Sequence, residues 1–247
     1  MKLHRQSVAV VIPCYRARAY ILDVIASIGA LPERIWVVDD CCPEATGAHV
    51  AGNCSDPRVK ILSHDINLGV GGAVKSGYRA ALSEGSRILV KIDGDGQMDS
   101  SLLPDFVARL QEYDYVKGNR FGSGSRPREM PLIRYAGNRW FSCMSRLSTG
   151  YYHIGDVLNG YTAIRSEALQ RLPLDRIAND YFFESDMLFQ LALNAAKVGE
   201  IPTPCRYQGE TSSLSIFKTL VTFPPRYISR ALYRLCNNCA PRTHNLM

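Results

Sequence analysis

Four short apolar runs, each closing on polar residues, constrain the fold of this chain more than any other feature. Val8–Pro13, Ile35–Val38, Val59–Leu62 and Ile88–Ile92 are rich in β-branched residues. They lack the strict alternation of a half-exposed strand, the pattern of parallel strands covered on both faces. After the first run, Ile21, Val24, Ile25 and Ile28 recur at helical spacing. After the third, a helix is predicted through Lys75 to Leu82. Strands alternating with helices predict an α/β fold with a doubly wound, mainly parallel sheet. Ligands of such sheets bind beyond the carboxyl ends of the strands. The polar closures are Pro13–Tyr15, Asp39–Asp40, Asn67–Gly72 and Asp93–Gln97, so four loops are expected to meet at one crevice.

The last closure carries the most chemistry. Asp93, Asp95 and Gln97 alternate with Gly94 and Gly96. Two carboxylates and an amide oxygen at that spacing can converge on one hard cation, which takes oxygen ligands. The glycines permit a sharp turn and leave room beside the metal. The bland alternative is an Asp-Gly turn after a strand. A dinucleotide-binding Rossmann domain is excluded, because its glycine fingerprint follows the first strand. Here that strand ends in Pro13-Cys14-Tyr15, and Gly69, Gly71 and Gly72 follow the third.

With 247 residues, 46% of them hydrophobic, the chain suits one α/β domain with at most a small appendage. Charge is unevenly spread. From Arg206 onward there are six Lys or Arg against Glu210 alone, which leaves the first 205 residues nearly neutral. Nothing in that distribution calls for nucleic acid. The eight cysteines (14, 41, 42, 54, 143, 205, 236 and 239) are scattered, as in a reducing cytoplasm. Cys236 and Cys239 form a lone CxxC without the second pair of a zinc site. No secretory signal is visible and no run is long enough to span a membrane. The expected location is cytoplasmic, at most peripheral on the cytoplasmic face of a membrane.

The motifs IPCY, VVDD, NLGVGGAVKSGYRAAL and DGDGQ, in this order, resemble family 2 glycosyltransferases of the GT-A fold. The Asp-x-Asp-x-Gln pattern is particularly similar to the dolichol- or polyprenol-phosphate sugar transferase branch. The resemblance continues through VKGNRF, RYAGN, DVLNGYTAIR, YFFESDM and IPTPCRYQGETSSL, roughly residues 7–215. The chain departs from the family where it approaches the nucleotide. Arg16 and Ala17 stand for the usual Asn and Glu, and Cys41-Cys42 for the usual Gly-Ser.

The resemblance implies a metal-dependent, inverting transfer of a sugar from a UDP- or GDP-sugar to an acceptor. Asp95 and Gln97 are expected to ligate Mg²⁺ or Mn²⁺, with Asp93 either ligating or holding the ribose. Pro13, Tyr15 and Asp39 would hold the nucleobase and ribose. Asp40 joins them or caps a helix. Asn67, Gly69 and Lys75 would approach the phosphates or sugar, through a loop of backbone N–H groups. In the second half, Arg120, Arg134 and Arg206 suit an anionic acceptor, since guanidinium binds phosphate bidentately. A polyprenyl phosphate is the expected acceptor. Asp186 is either a general base or, with Glu184, a partner of arginines; His64 and His153 read as surface residues. The expected organisation is a catalytic domain over 1–215, split near residue 99 into nucleotide-sugar and acceptor halves, and a basic amphipathic tail over 216–247. In that tail Arg226, Arg230 and Arg234 repeat at helical spacing, opposite Tyr227, Ile228, Ala231, Leu232 and Leu235. The tail, through 224–236, either lies on a membrane surface or packs on the domain with its arginines in solvent. Rival functions are transfer to a saccharide hydroxyl and a non-catalytic sugar-nucleotide-binding scaffold.

Overall fold

The structure is a computed structural model that describes residues 7–122, 130–204 and 216–237. Its seven strands are β1 (Val8–Cys14), β2 (Arg34–Asp39), β3 (Val59–Ser63), β4 (Ile88–Lys91), β5 (Tyr115–Asn119), β6 (Thr162–Arg165) and β7 (Val198–Pro202). They form one sheet in the order β3-β2-β1-β4-β6-β5-β7. β6 runs antiparallel to both neighbours, β4 and β5; the other pairings are parallel. The four predicted strands are therefore the parallel half, and their carboxyl ends share one edge. β6 and β7 were not legible as strands.

Among the described residues, eight α-helices cover the sheet: α1 (Ile21–Ser27), α2 (Thr46–Asn53), α3 (Val70–Ser83), α4 (Leu103–Arg109), α5 (Leu132–Thr149), α6 (Ser166–Gln170), α7 (Phe183–Leu193) and α8 (Ile216–Cys236). Alternate residues of β1 feed two cores, as the two-residue period of a strand requires. Ala9 and Val11 join Tyr78, Phe182, Phe183, Met187 and Leu188 on one face. Val8, Val10 and Ile12 join Ile21, Ile25, Val50, Phe106 and Tyr161 on the other. Helix α3 lies close against the sheet because Gly77 has no Cβ to strike Val11 and Val38.

The C-terminal helix is part of this packing. Phe223 and Tyr227 of α8 are buried in the first core, beside Phe141 of α5 and Phe182. The helix continues through Pro224 and Pro225, although each proline removes a backbone donor. Among the described residues no helix is long and apolar enough to cross a membrane.

Candidate active site at the carboxyl edge of the sheet

β4 ends at Lys91, and the chain turns at once through Asp93–Gln97. Gly96 takes a positive φ of 75°, which glycine adopts without strain. Gln97 N–H donates to Asp95 Oδ1 at 3.0 Å, fixing the loop locally. Gly94 lies against Ala17 and Cys14, so this loop touches the one that follows β1. Asp93 Oδ1 is buried without an aligned hydrogen bond and sits 2.8 Å from Lys91 Nζ. Gly160 closes over the pair; a Cβ there would collide with the Asp93 carboxylate.

Lys91 leads to an ion network the sequence did not announce. Lys91 and Lys117 both stand opposite Thr162, on the two sides of β6. Glu184 of α7 bridges them, with Oε1 at 2.9 Å from Lys91 and Oε2 at 3.0 Å from Lys117. The lysines also donate to the carbonyls of Gly160 and Asn159. Burial disfavours the Lys91 ammonium, but Asp93 and Glu184 outweigh it and hold its pKa above the ordinary value. For Lys117 burial is the larger effect and lowers the pKa despite Glu184. Burial would likewise raise Glu184, yet the two lysines keep it below its usual range. The expected arginine partners of Glu184 are thus replaced by lysines. The visible signal was a lysine inside each of two apolar strands.

The nucleotide-side residues gather at the same edge in varied roles. Pro13 is buried in β1 and Tyr15 is 48% exposed just beyond it. The Asp39 carboxylate accepts from the backbone N–H groups of Cys42 and Gly47, at 2.7 and 2.5 Å, and so folds the turn into α2. Asp40 does the same for the next loop. It accepts from the N–H groups of Leu68 and Gly69, each at 2.8 Å, while Asn67 donates to its carbonyl. Neither carboxylate is presented as an open ligand, and Asp40 is a loop clamp rather than a helix cap. Asp40 also meets His64 Nδ1 at 2.7 Å, with Ser76 on the other ring nitrogen at 2.9 Å. His64 is therefore not a plain surface residue; His153 is exposed, bonded to the carbonyl of Val198. Lys75, expected near the phosphates or sugar, is engaged with the backbone. It is buried and donates to the carbonyl of Ile177 at 2.7 Å, in an open pocket of about 480 Å³ between α3 and residues 175–179.

Cys42, in the place of the family's usual serine, receives the backbone N–H of Arg16 at 3.0 Å and meets the Thr46 hydroxyl at 3.1 Å. Burial alone would raise its thiol; these hydrogen bonds bring it below the ordinary value.

On the acceptor side, Arg120 follows β5 and grips the fully buried Asp156 through Nε at 2.6 Å and Nη2 at 2.8 Å. Glu200 of β7 accepts from Asn119 and the Gly155 and Asp156 amides, burial holding its carboxyl above the usual range. Of its two expected readings, general base or partner of arginines, Asp186 shows the pairing. It is 1% exposed, receives the Ala178 N–H, and is held by both arms of Arg230 at 2.8 and 3.2 Å. A buried carboxylate already paired this way is a tether for α8. Arg134 lies half-buried in the first turn of α5, and Arg206 falls outside the described residues.

Among the described residues, no cluster of three or more His, Cys, Asp or Glu could hold an ion. The expected ligands Asp93, Asp95 and Gln97 offer two carboxylates and an amide oxygen, a chemistry that would fit Mg²⁺ or Mn²⁺. Such ions are commonly held by one or two carboxylates, the remaining positions going to substrate phosphates and water.

Residues 9–172 match the family described as Glycosyl transferase family 2. The chain is 32% identical over 180 residues to an undecaprenyl-phosphate mannosyltransferase of Micrococcus luteus, covering 70% of this chain and 72% of that one. It is 30% identical over 208 residues to a polyprenol monophosphomannose synthase of Mycolicibacterium smegmatis, covering 80% and 76%. Its fold is similar to that of glucosyl-3-phosphoglycerate synthase from Mycobacterium tuberculosis, solved with Mn²⁺, UDP and glucosyl-3-phosphoglycerate. The TM-score is 0.63 at 18% identity, over 97% of this chain and 82% of that one. A GT-A-like sheet, a DGDGQ turn at its carboxyl edge and a family match over most of the sheet lead to one conclusion: the chain is a glycosyltransferase belonging to family 2.

Proposed function

We propose that this enzyme transfers a sugar, with inversion, from a nucleoside-diphosphate sugar to a polyprenyl phosphate. The observation that carries the reading is the state of the acids on the acceptor side. Asp156 is held by Arg120, Glu184 by two lysines and Asp186 by Arg230. Attack by a sugar hydroxyl needs a carboxylate or similar group to take its proton. A phosphate monoester, with its second pKa near about 6, is already largely a dianion at neutral pH and needs none. The similarity to two transferases named for polyprenyl or undecaprenyl phosphate points the same way.

In this reading Asp93, Asp95 and Gln97 hold Mg²⁺ or Mn²⁺, which when bound stabilises the charge of the departing diphosphate. Lys91 fixes the direction of the Asp93 carboxylate. Tyr15 and the Asp39–Asp40 and Asn67–Gly69 turns shape the nucleotide cradle. Arg134 and Arg206 receive the acceptor phosphate, while Arg120 orders its own loop through Asp156.

The test supplies labelled UDP- and GDP-sugars with polyprenyl phosphate or with free saccharides and follows the label into the organic phase. Transfer to the lipid phosphate is expected. Transfer to a saccharide hydroxyl only, or no transfer with any donor, would overturn the reading.

A further inference from the structure

Helix α8 is mounted the opposite way round from its helical wheel. Its three arginines face the domain: Arg226 pairs with Asp180 at 2.7 Å and lies over the Phe182 ring, and Arg230 pairs with Asp186. Arg234 donates to the carbonyl of Leu147 at 2.9 Å. Tyr227, on the same face, is buried and bonded to Ser185. The outward face is therefore the apolar one, with Val221 65%, Ile228 54%, Leu232 57% and Leu235 66% exposed. Its neighbour α5 has the same organisation. Phe141 and Ser145 face inward, while Leu132, Ile133, Trp140 and Leu147 are each more than half exposed. The two helices pack side by side through Phe141, Phe223 and Tyr227.

We infer that the outward faces of α5 and α8 together form a docking surface for an anionic lipid bilayer, entered by apolar side chains. Large contiguous exposed apolar surface marks an interaction site. Charge decides the occupant: residues 130–149 and 216–237 contain no Asp or Glu, while Arg139 is exposed among the apolar residues of α5. A second copy of the chain docked through this face would offer Arg139 no acidic partner. An anionic membrane surface complements both the charge and the apolar stripe. Trp140 and Tyr233 suit the boundary, where amphipathic rings sit at headgroup level.

The inference stands apart from the choice of acceptor, and the test keeps the two separate. The full chain is mixed with vesicles of phosphatidylglycerol and phosphatidylcholine and partitioning is measured by flotation, with Trp140 fluorescence recorded. Wild type is expected to bind, with a blue shift of that emission. Ile228→Asp combined with Leu232→Asp should weaken binding by about tenfold or more, and Trp140→Asp severalfold. All these side chains point to solvent, so the variants should keep their fold and their nucleotide binding. Asp95→Asn should leave partitioning unchanged, so a failure of transfer alone would leave this inference standing. Three results would overturn it: no binding by wild type, equal binding by the aspartate variants, or a solution dimer that these variants dissociate without any vesicle affinity.

Discussion

Glu184 Oε1 accepts a hydrogen bond from Lys91 Nζ at 2.9 Å, although the residues are 93 positions apart and belong to α7 and β4. The same carboxylate holds Lys117, while Lys91 also faces Asp93. The Asp93–Gln97 turn is thereby tied to a buried charge network that spans β4, β6 and β5. Lys91, Lys117 and Glu184 are buried, so removing any one of them leaves a buried charge without its partner.

Glu184→Gln should destabilise the protein by about 3–5 kcal/mol at neutral pH, because two buried ammonium groups lose their shared anion. The pH dependence should change form. In wild type the depressed Glu184 carboxyl contributes fully above its unfolded pKa, and this is lost as the pH falls through the folded value. In the variant, the already depressed Lys117 would fold neutral but unfold protonated. The unfolded state then binds more protons, so stability should rise toward alkaline pH. Urea denaturation between neutral and alkaline pH measures it; a small loss with no alkaline rise would count against the network.

Asp95→Asn should abolish most transfer and weaken Mn²⁺-dependent binding of nucleoside diphosphate, with stability changed by less than about 1 kcal/mol. Gly160→Ala should reproduce the binding defect from outside the motif, since its Cβ would push the Asp93 carboxylate aside. Isothermal titration with and without Mn²⁺ reads both. Full activity in EDTA would remove the metal from the scheme.

Asp186 and Arg230 should behave as one unit. If the pair tethers α8, Asp186→Asn and Arg230→Gln lower stability similarly and show a coupling of about 0.5–3 kcal/mol in a double-mutant cycle. A general base would instead make Asp186→Asn nearly inactive at unchanged stability, with Arg230→Gln mild. Denaturation and kcat measured on the three variants distinguish the outcomes.

Arg120→Ala leaves the fully buried Asp156 without its guanidinium, so a loss of about 3–5 kcal/mol is expected. Adding Asp156→Asn should restore much of that stability. If activity returns with it, Arg120 acts through the loop it holds. If the folded double variant stays inactive, Arg120 touches the acceptor. Arg134→Ala, at the mouth of α5, should raise KM for polyprenyl phosphate by about tenfold or more, in line with a lost charge-assisted phosphate contact.

Sequence by itself determined the parallel half of the sheet and marked out the Asp93–Gln97 turn. Both are written in consecutive residues: β-branched runs that can only be buried strands, and oxygen donors two apart on a glycine-loosened loop. It also brought Asp39, Asp40 and Asn67 to one edge, because strands alternating with helices run parallel and point their carboxyl ends the same way. What those side chains bond to was decided by tertiary structure. Asp40 meets His64 and the Leu68 and Gly69 amides only after β2 and β3 pair. Lys91 and Lys117 become neighbours only because β6 inserts antiparallel between their strands. The clearest case is α8. Periodicity finds two faces on a helix but carries no sign for inside and outside. Asp180 and Asp186, contributed by a distant segment, gave the arginines partners within the domain and left Ile228 and Leu232 facing out.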